Sequence, residues 1–215
     1  MKKIFILLIF FVFKNCSGQI KNGNDKNMEK FDIVKYNELL KDSFFADYGY
    51  YYAENGDRIQ IFKGSNNKGF VQKIIKKDSP FKIYKSYFEN LYLQTESNFF
   101  YDFQIGISKE YDDNGNLIKE INNDIDFKFN VEDLIKKMKE SYNIDIMNTK
   151  IIHAIVRNSK DVRIKKSYYH IIVKSGIAVY KEFLIDGNSG DSLFILENKR
   201  DYEKDIVDEY LKSKK

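Results

Sequence analysis

The sequence predicts an α+β fold: an antiparallel β-meander followed by a helix-plus-antiparallel-sheet domain with a C-terminal helix. Three observations predict it. From Phe44 to Ile121, short aromatic and β-branched runs alternate with Gly and Asn, the grammar of successive hairpins. From Asn130 the apolar residues recur at helical spacing, and strand-like runs then return through residue 196. Residues 199–213 close the chain with a second helical stripe. At 215 residues, 43% hydrophobic and 16% aromatic, the chain can bury a sizeable core in one large or two small domains. A single proline excludes long Pro-rich disordered segments.

Residues 1–18, "MKKIFILLIFFVFKNCSG", read as a signal peptide. Lys2 and Lys3 form a basic start, and Ile4 to Phe13 are apolar, too short a run to span a bilayer as a mature helix. Cys16 is the only cysteine, so no intramolecular disulfide can form. Its place just after the apolar run resembles the lipid-modified cysteine of bacterial lipoproteins, which implies lipid attachment at Cys16. The small residue usual before that cysteine is missing here, where Phe13, Lys14 and Asn15 stand. The alternative is ordinary cleavage after Gly18, with small residues at the −3 and −1 positions. Residues 19–43 then form a polar tether and a short helix over 28–41 carrying Phe31, Val34, Leu39 and Leu40.

The formal charge of +4 comes largely from the leader. Without Lys2, Lys3 and Lys14 the 36 basic residues fall to 33 against 32 acidic ones, a net of +1. Interspersed signs near neutrality give no electrostatic footing for nucleic acid.

Residues 44–126 are expected to be a β-hairpin repeat. Tyr52-Ala-Glu-Asn55-Gly56-Asp-Arg-Ile59 matches Tyr111-Asp-Asp-Asn114-Gly115-Asn-Leu-Ile118, and Tyr87-Phe-Glu-Asn90-Leu-Tyr-Leu93 keeps the Tyr and Asn without the Gly. Asn-Gly between alternating strands signals a hairpin, with both residues at positive φ in a type I′ turn. Asn55, Gly56, Asn114 and Gly115 are therefore turn residues. The acidic cluster around Gly115 fails as a calcium loop. Asp112, Asn114 and Asn116 match the start of an EF-hand, but Leu117 stands where glycine is needed and Asn123 where the bidentate Glu belongs. This pattern resembles the variant MORN repeats of bacterial envelope proteins over about residues 44–121.

Within the first hairpin, strand alternation places Tyr48, Tyr50 and Tyr52 on one face. That face either packs against a neighbouring element or offers a partner surface, since tyrosine is enriched at interfaces.

In residues 127–215, Asn130 is placed to cap a helix carrying Val131, Leu134, Ile135, Met138 and Tyr142, with Asp133 favouring its N-terminal end. Strands are expected at 150–157, 168–174, 177–185 and 192–196, and a final helix presents Tyr202, Ile206, Tyr210 and Leu211. The helix, the strands and the closing "FLIDGNSGDSL" resemble a PepSY-type domain over about residues 127–196. In that resemblance Asp186 takes the place of the family's aspartate, Gly190 that of its glycine, and Ser189 replaces a threonine. PepSY domains imply binding, sometimes inhibition, rather than catalysis.

No constellation for chemistry stands out. His153 and His170, the only histidines, fall in predicted strands without a third metal ligand at metal spacing. There is no nucleophile-elbow motif, no Walker A and no Gly-x-Gly-x-x-Gly. The expectation is a non-enzymatic, extracytoplasmic, protein-binding module of a bacterial envelope, membrane-anchored through Cys16 or else periplasmic or secreted, with no cofactor and no metal. Its specific form is an immunity protein that neutralises a toxin. The alternative is an envelope enzyme using carboxylates that carry no motif.

Overall fold

A computed structural model describes residues 28–64, 68–199 and 205–215, so the leader, Cys16 and Tyr202 lie outside the described residues. The order of elements is α1 (Ile33–Leu39), α2 (Ser43–Tyr48), β1 (Tyr50–Tyr52), β2 (Arg58–Lys63), β3 (Phe70–Ile75), β4 (Phe81–Tyr87), β5 (Leu93–Phe100), β6 (Phe103–Tyr111) and β7 (Leu117–Asn122). Then come α3 (Val131–Tyr142), β8 (Ile152–Asp161), β9 (Lys166–Gly176), β10 (Val179–Asp186), β11 (Ser192–Lys199) and α4 (Ile206–Ser213). Strands β1 to β7 form one antiparallel meander in sequence order, and β8 to β11 form a second antiparallel sheet. The fold is α+β. No helix among the described residues is long and apolar enough to cross a membrane.

Three elements differ from expectation. Residues 43–48 are helical, not strand. The side chain of Asp42 accepts from Phe45 N at 2.9 Å as N-cap, and Gly49 ends the helix at φ 71. Burial of Phe45 fixes the orientation of α2 and overrides the strand preference of its aromatics. Tyr48 therefore lies on α2 rather than in a strand with Tyr50 and Tyr52. At the other end, β11 runs to Lys199, the expected first residue of the last helix, and α4 begins at Ile206. Helix α3 follows the sequence closely: Asn130 Oδ1 accepts from Asp133 N at 2.8 Å, and Val131, Leu134 and Met138 are buried. Helix α1 is shorter than expected, with Phe31 buried ahead of it and Val34 and Leu40 exposed.

The turns also correct the sequence reading. Gly56 N bonds Ala53 O and Ala53 N bonds Asp57 O; Gly115 N bonds Asp112 O and Asp112 N bonds Asn116 O. Gly56 and Gly115 have positive φ, whereas Asn55 and Asn114 do not. These are three-residue loops, a tight turn followed by one left-handed residue, rather than type I′ turns. The glycine-free copy has the same geometry: Leu91 N bonds Phe88 O, Phe88 N bonds Tyr92 O, and Leu91 takes φ 73 where the others have glycine. The three sequence copies are thus one structural unit. Its backbone persists even where a Cβ makes the left-handed residue costlier.

The first sheet turns one face toward a core, and the second sheet turns both. Phe31, Phe45, Ile61, Phe70, Tyr87 and Leu93 form one cluster, where α1, α2 and the chain before them cover part of the meander. Phe31 stacks on Phe70 at 4.1 Å. A larger cluster joins Leu134 and Met138 of α3 to Tyr169, Ile171, Phe183 and Ile185, and Phe100 of the meander belongs to it. The two sheets therefore share a core. Arg157 of β8 bridges them, bonding Asp124, Gln104 O and Asn123 O while lying over the rings of Phe103 and Phe127. Helix α4 packs Ile206 and Val207 against Tyr168 and Leu184 on the opposite face of the second sheet.

Candidate interaction surface

The meander buries one face only. Its register sets Tyr50, Gln60, Lys73, Tyr84 and Ser97 in one row, and Tyr52, Arg58, Ile75, Lys82 and Phe99 in the next. Side chains alternate across a strand, so these rows lie opposite the row of Tyr51, Ile59, Ile74 and Ile83. None of Tyr50, Tyr52, Phe62, Tyr84 or Phe99 belongs to a buried cluster. This face is open.

At the β1 end the exposed rings touch in series. Tyr48 and Tyr52 are 62% and 63% exposed, too much for residues that serve packing. Tyr50 stands between them, 6.4 Å from the Tyr48 ring and 5.8 Å from the Tyr52 ring, and Phe44 adds a fourth ring 4.8 Å from Tyr48. The three tyrosines share a surface although they come from two elements, because Gly49 turns the chain back on itself. Arg58 lies over Tyr50 at 5.4 Å, and Lys73 over Tyr84 at 5.1 Å, with Phe99 4.7 Å beyond. Among the described residues neither Arg58 nor Lys73 forms an ion pair with a carboxylate, so the face carries aromatic rings with uncompensated cations beside them.

Arg58 is positioned by its neighbour. Asp57 is buried and accepts from Lys76 Nζ at 2.8 Å, Lys77 N at 3.0 Å and Asn55 Nδ2 at 3.0 Å. The Lys76 ammonium and the Lys77 N–H hold its carboxyl below the usual range. That knot ties the β1–β2 turn to the β3–β4 turn and fixes the strand that presents Arg58.

The other residues singled out by sequence have structural surroundings. Asp112 accepts from Asn114 N and Asn116 N through Oδ1, and from Asn116 Nδ2 through Oδ2. Its carboxylate closes its own loop. Asp186 is buried; burial pushes its carboxyl up, but hydrogen bonds from Lys166, Asn188 N and Ser189 N outweigh that and hold it low. Gly190 has φ 74, and a Cβ there would fall 2.4 Å from the ring of Phe129. Asp186 and Gly190 thus shape the β10–β11 turn. A cleft of about 650 Å³ beside it is lined by Lys128, Lys160, Lys165 and Lys166, of which Lys160 and Lys166 pair with Asp126 and Asp186.

His170 Nε2 lies 2.7 Å from Glu182, and the ring of His153 contacts Tyr180 at 5.0 Å. No group of three His, Cys, Asp or Glu that could hold a metal occurs among the described residues.

Sequence reasoning missed Phe44, Arg58, Lys73, Tyr84 and Phe99 as members of this surface. The alternation of Arg58, Gln60 and Phe62 with Ile59 and Ile61 was a usable signal for two faces, but the pairing that lines up the rows is long-range. No family model, no curated protein and no solved structure matches the chain.

Proposed function

We propose that this protein is a non-enzymatic binding module of a bacterial cell envelope, anchored through Cys16, that captures a protein partner on the open face of its seven-stranded sheet. One observation carries the reading: the exposed Tyr48–Tyr50–Tyr52 series lies beside Arg58, which forms no ion pair with a carboxylate among the described residues. Tyr and Arg are the residue types that dominate binding energy at interfaces, where their apolar bodies are desolvated and their polar ends find partners. The cations at Arg58 and Lys73 select a partner surface that carries carboxylates among apolar groups. The specific form of the proposal is an immunity protein that occludes a toxin.

The test is co-purification of the full chain with the product of an adjacent toxin-like gene, followed by growth of cells expressing that product. Wild type is expected to bind it and relieve growth arrest, and Tyr52→Ala/Arg58→Glu to do neither while melting at an unchanged temperature. Equal protection by both proteins would refute the surface. The anchor is tested apart, by metabolic labelling with a palmitate analogue. Label retained in Cys16→Ala would refute it.

A further inference from the structure

The meander has two edges of unlike kind. Strand β1 is three residues long, whereas β7 offers six, and every residue of β7 is exposed. Asn123 N bonds Gly106 O, and the register pairs Ile121 with Ser108 and Lys119 with Glu110. By the two-residue period of a ladder, the backbone groups of Glu120 and Asn122 point away from β6 into solvent. Leu117, Ile118 and Ile121 flank these groups, and no proline interrupts them. Where β7 begins, a hollow of about 400 Å³ opens, lined by Met28, Leu93, Tyr111 and Leu117, with Glu29 and Glu96 at its wall. Such an edge is a template for an added strand.

The central charges decide which strand: Lys119 pairs with Glu110 of β6 at 3.2 Å and Glu120 stands opposite Lys109, so the signs alternate from strand to strand and a complementary added strand continues the alternation. Two copies meeting antiparallel at β7 are related by a twofold axis normal to the sheet. That axis keeps each face on its own side, so residues opposite one another share a parity. Lys119 and Glu120 differ in parity and never face each other. The registers with greatest overlap place Lys119 against Lys119, or Glu120 against Glu120. In the parallel orientation the axis runs along the strands, turns one sheet face over and sets each outward N–H against its twin's N–H, so no ladder forms. Like charges directly opposite are destabilising, so the edge opposes pairing with itself. A strand from another protein has no such symmetry to obey.

We infer that β7 is a docking edge for an extended segment of a partner protein, one that runs antiparallel to it, as every strand of this sheet runs to its neighbour, and sets a carboxylate opposite Lys119 and a cation opposite Glu120 between β-branched residues. This surface is independent of the open face, because its affinity comes from the outward backbone groups of β7. The hollow beside Leu117 accepts an apolar side chain at the end of the added strand.

Amide hydrogen exchange on the full chain tests this, with the blocked hexapeptide Thr-Val-Lys-Glu-Val-Thr as probe at millimolar concentration. Bound antiparallel, it sets its Lys opposite Glu120 and its Glu opposite Lys119. Exchange at Glu120 and Asn122 is expected to slow roughly fivefold or more, while Ile121, already bonded to β6, is unchanged. The charge-swapped peptide Thr-Val-Glu-Lys-Val-Thr, which bound antiparallel sets like charges opposite Lys119 and Glu120, should have no effect on wild type, and Lys119→Gln/Glu120→Gln should respond alike to the two peptides. Equal protection of wild type by both peptides, or by neither, overturns the inference. So does protection that grows with protein concentration in the absence of peptide, which would mean that the edge pairs with itself.

Discussion

Arg157 lies over the ring of Phe127 at 4.5 Å and donates from Nη1 to the carboxylate of Asp124, fastening the second sheet to the end of the first. The guanidinium is almost fully buried and also bonds two carbonyls. Its planar fork reaches three acceptors in fixed directions while its flat face lies over the rings of Phe103 and Phe127, a geometry that a tetrahedral ammonium cannot reproduce. Arg157→Ala is expected to cost about 2–4 kcal/mol, since it leaves Asp124 with only the Gly106 N–H and removes the shared donor of two carbonyls. Arg157→Lys should recover less than half of that. Urea unfolding measures both, and a cost under about 0.5 kcal/mol for Arg157→Ala would mean that the joint is not held there.

The two glycine turns should respond unequally to the same substitution. Gly56→Val and Gly115→Val both force a β-branched residue to positive φ, at about 1–3 kcal/mol. At Gly56 the new Cβ meets the flexible Lys77 side chain at 2.6 Å, but at Gly115 it falls 1.9 Å from Met28 Sδ. The valine at 115 should therefore lower the melting temperature further and loosen residues 28–31. Leu91→Gly relieves the strain of the third copy but removes apolar contact, so its net effect should be within about 1 kcal/mol.

Asp112 holds its loop through three hydrogen bonds, so Asp112→Ala is expected to cost about 1 kcal/mol or more. Calcium should leave the melting temperature of both proteins unchanged. A calcium-dependent rise in wild type that vanishes in Asp112→Ala would instead assign a metal to this loop.

Acid should unfold the protein partly through Asp161. Hydrogen bonds from the Arg163 side chain, followed by its backbone N–H and charge, pull the Asp161 carboxyl down to about 2 against an ordinary 3.8, despite burial. A depressed folded-state pKa stabilises above the unfolded value, and the contribution is lost as pH falls from about 4 through about 2. Asp57 and Asp186 are shifted in the same direction. Stability should therefore drop across that window, and Asp161→Asn should flatten the drop. An unchanged slope between pH 4 and 2 in Asp161→Asn would remove Asp161 from this account.

Tyrosines on the two faces should differ sharply. Tyr48→Ala and Tyr52→Ala remove exposed rings and should shift stability by about 0.5 kcal/mol or less. Tyr87 is buried, bonds Glu29 and has its phenol pushed well above the ordinary value by that burial. Tyr87→Ala should cost about 3–5 kcal/mol. Chemical denaturation of the three variants gives the comparison, and a large loss at Tyr52 would mean that the open face is covered after all.

The sequence by itself determined the meander, the position of α3 and the places where the chain turns. Those features rest on local chemistry: alternation between Arg58 and Phe62, the Asn130 cap, and the Tyr-x-x-Asn units. It also carried the signals for α2, since Asp42 and Gly49 bracket it, but the strand preference of "FFADYGYYY" hid them. Tertiary structure decided the rest. Whether Tyr50 or Tyr51 faces solvent depends on which side Phe31 and Phe45 cover, and those residues pack across the sheet rather than along the chain. The alignment of Arg58 and Lys73 with the rings depends on strand register over dozens of residues. The shared core, with Phe100 against the second sheet and Arg157 reaching back to Asp124, joins residues that no local pattern relates. Local preference sets the elements because neighbouring residues bias φ and ψ. The exposed surface is what remains after long-range burial has chosen its faces.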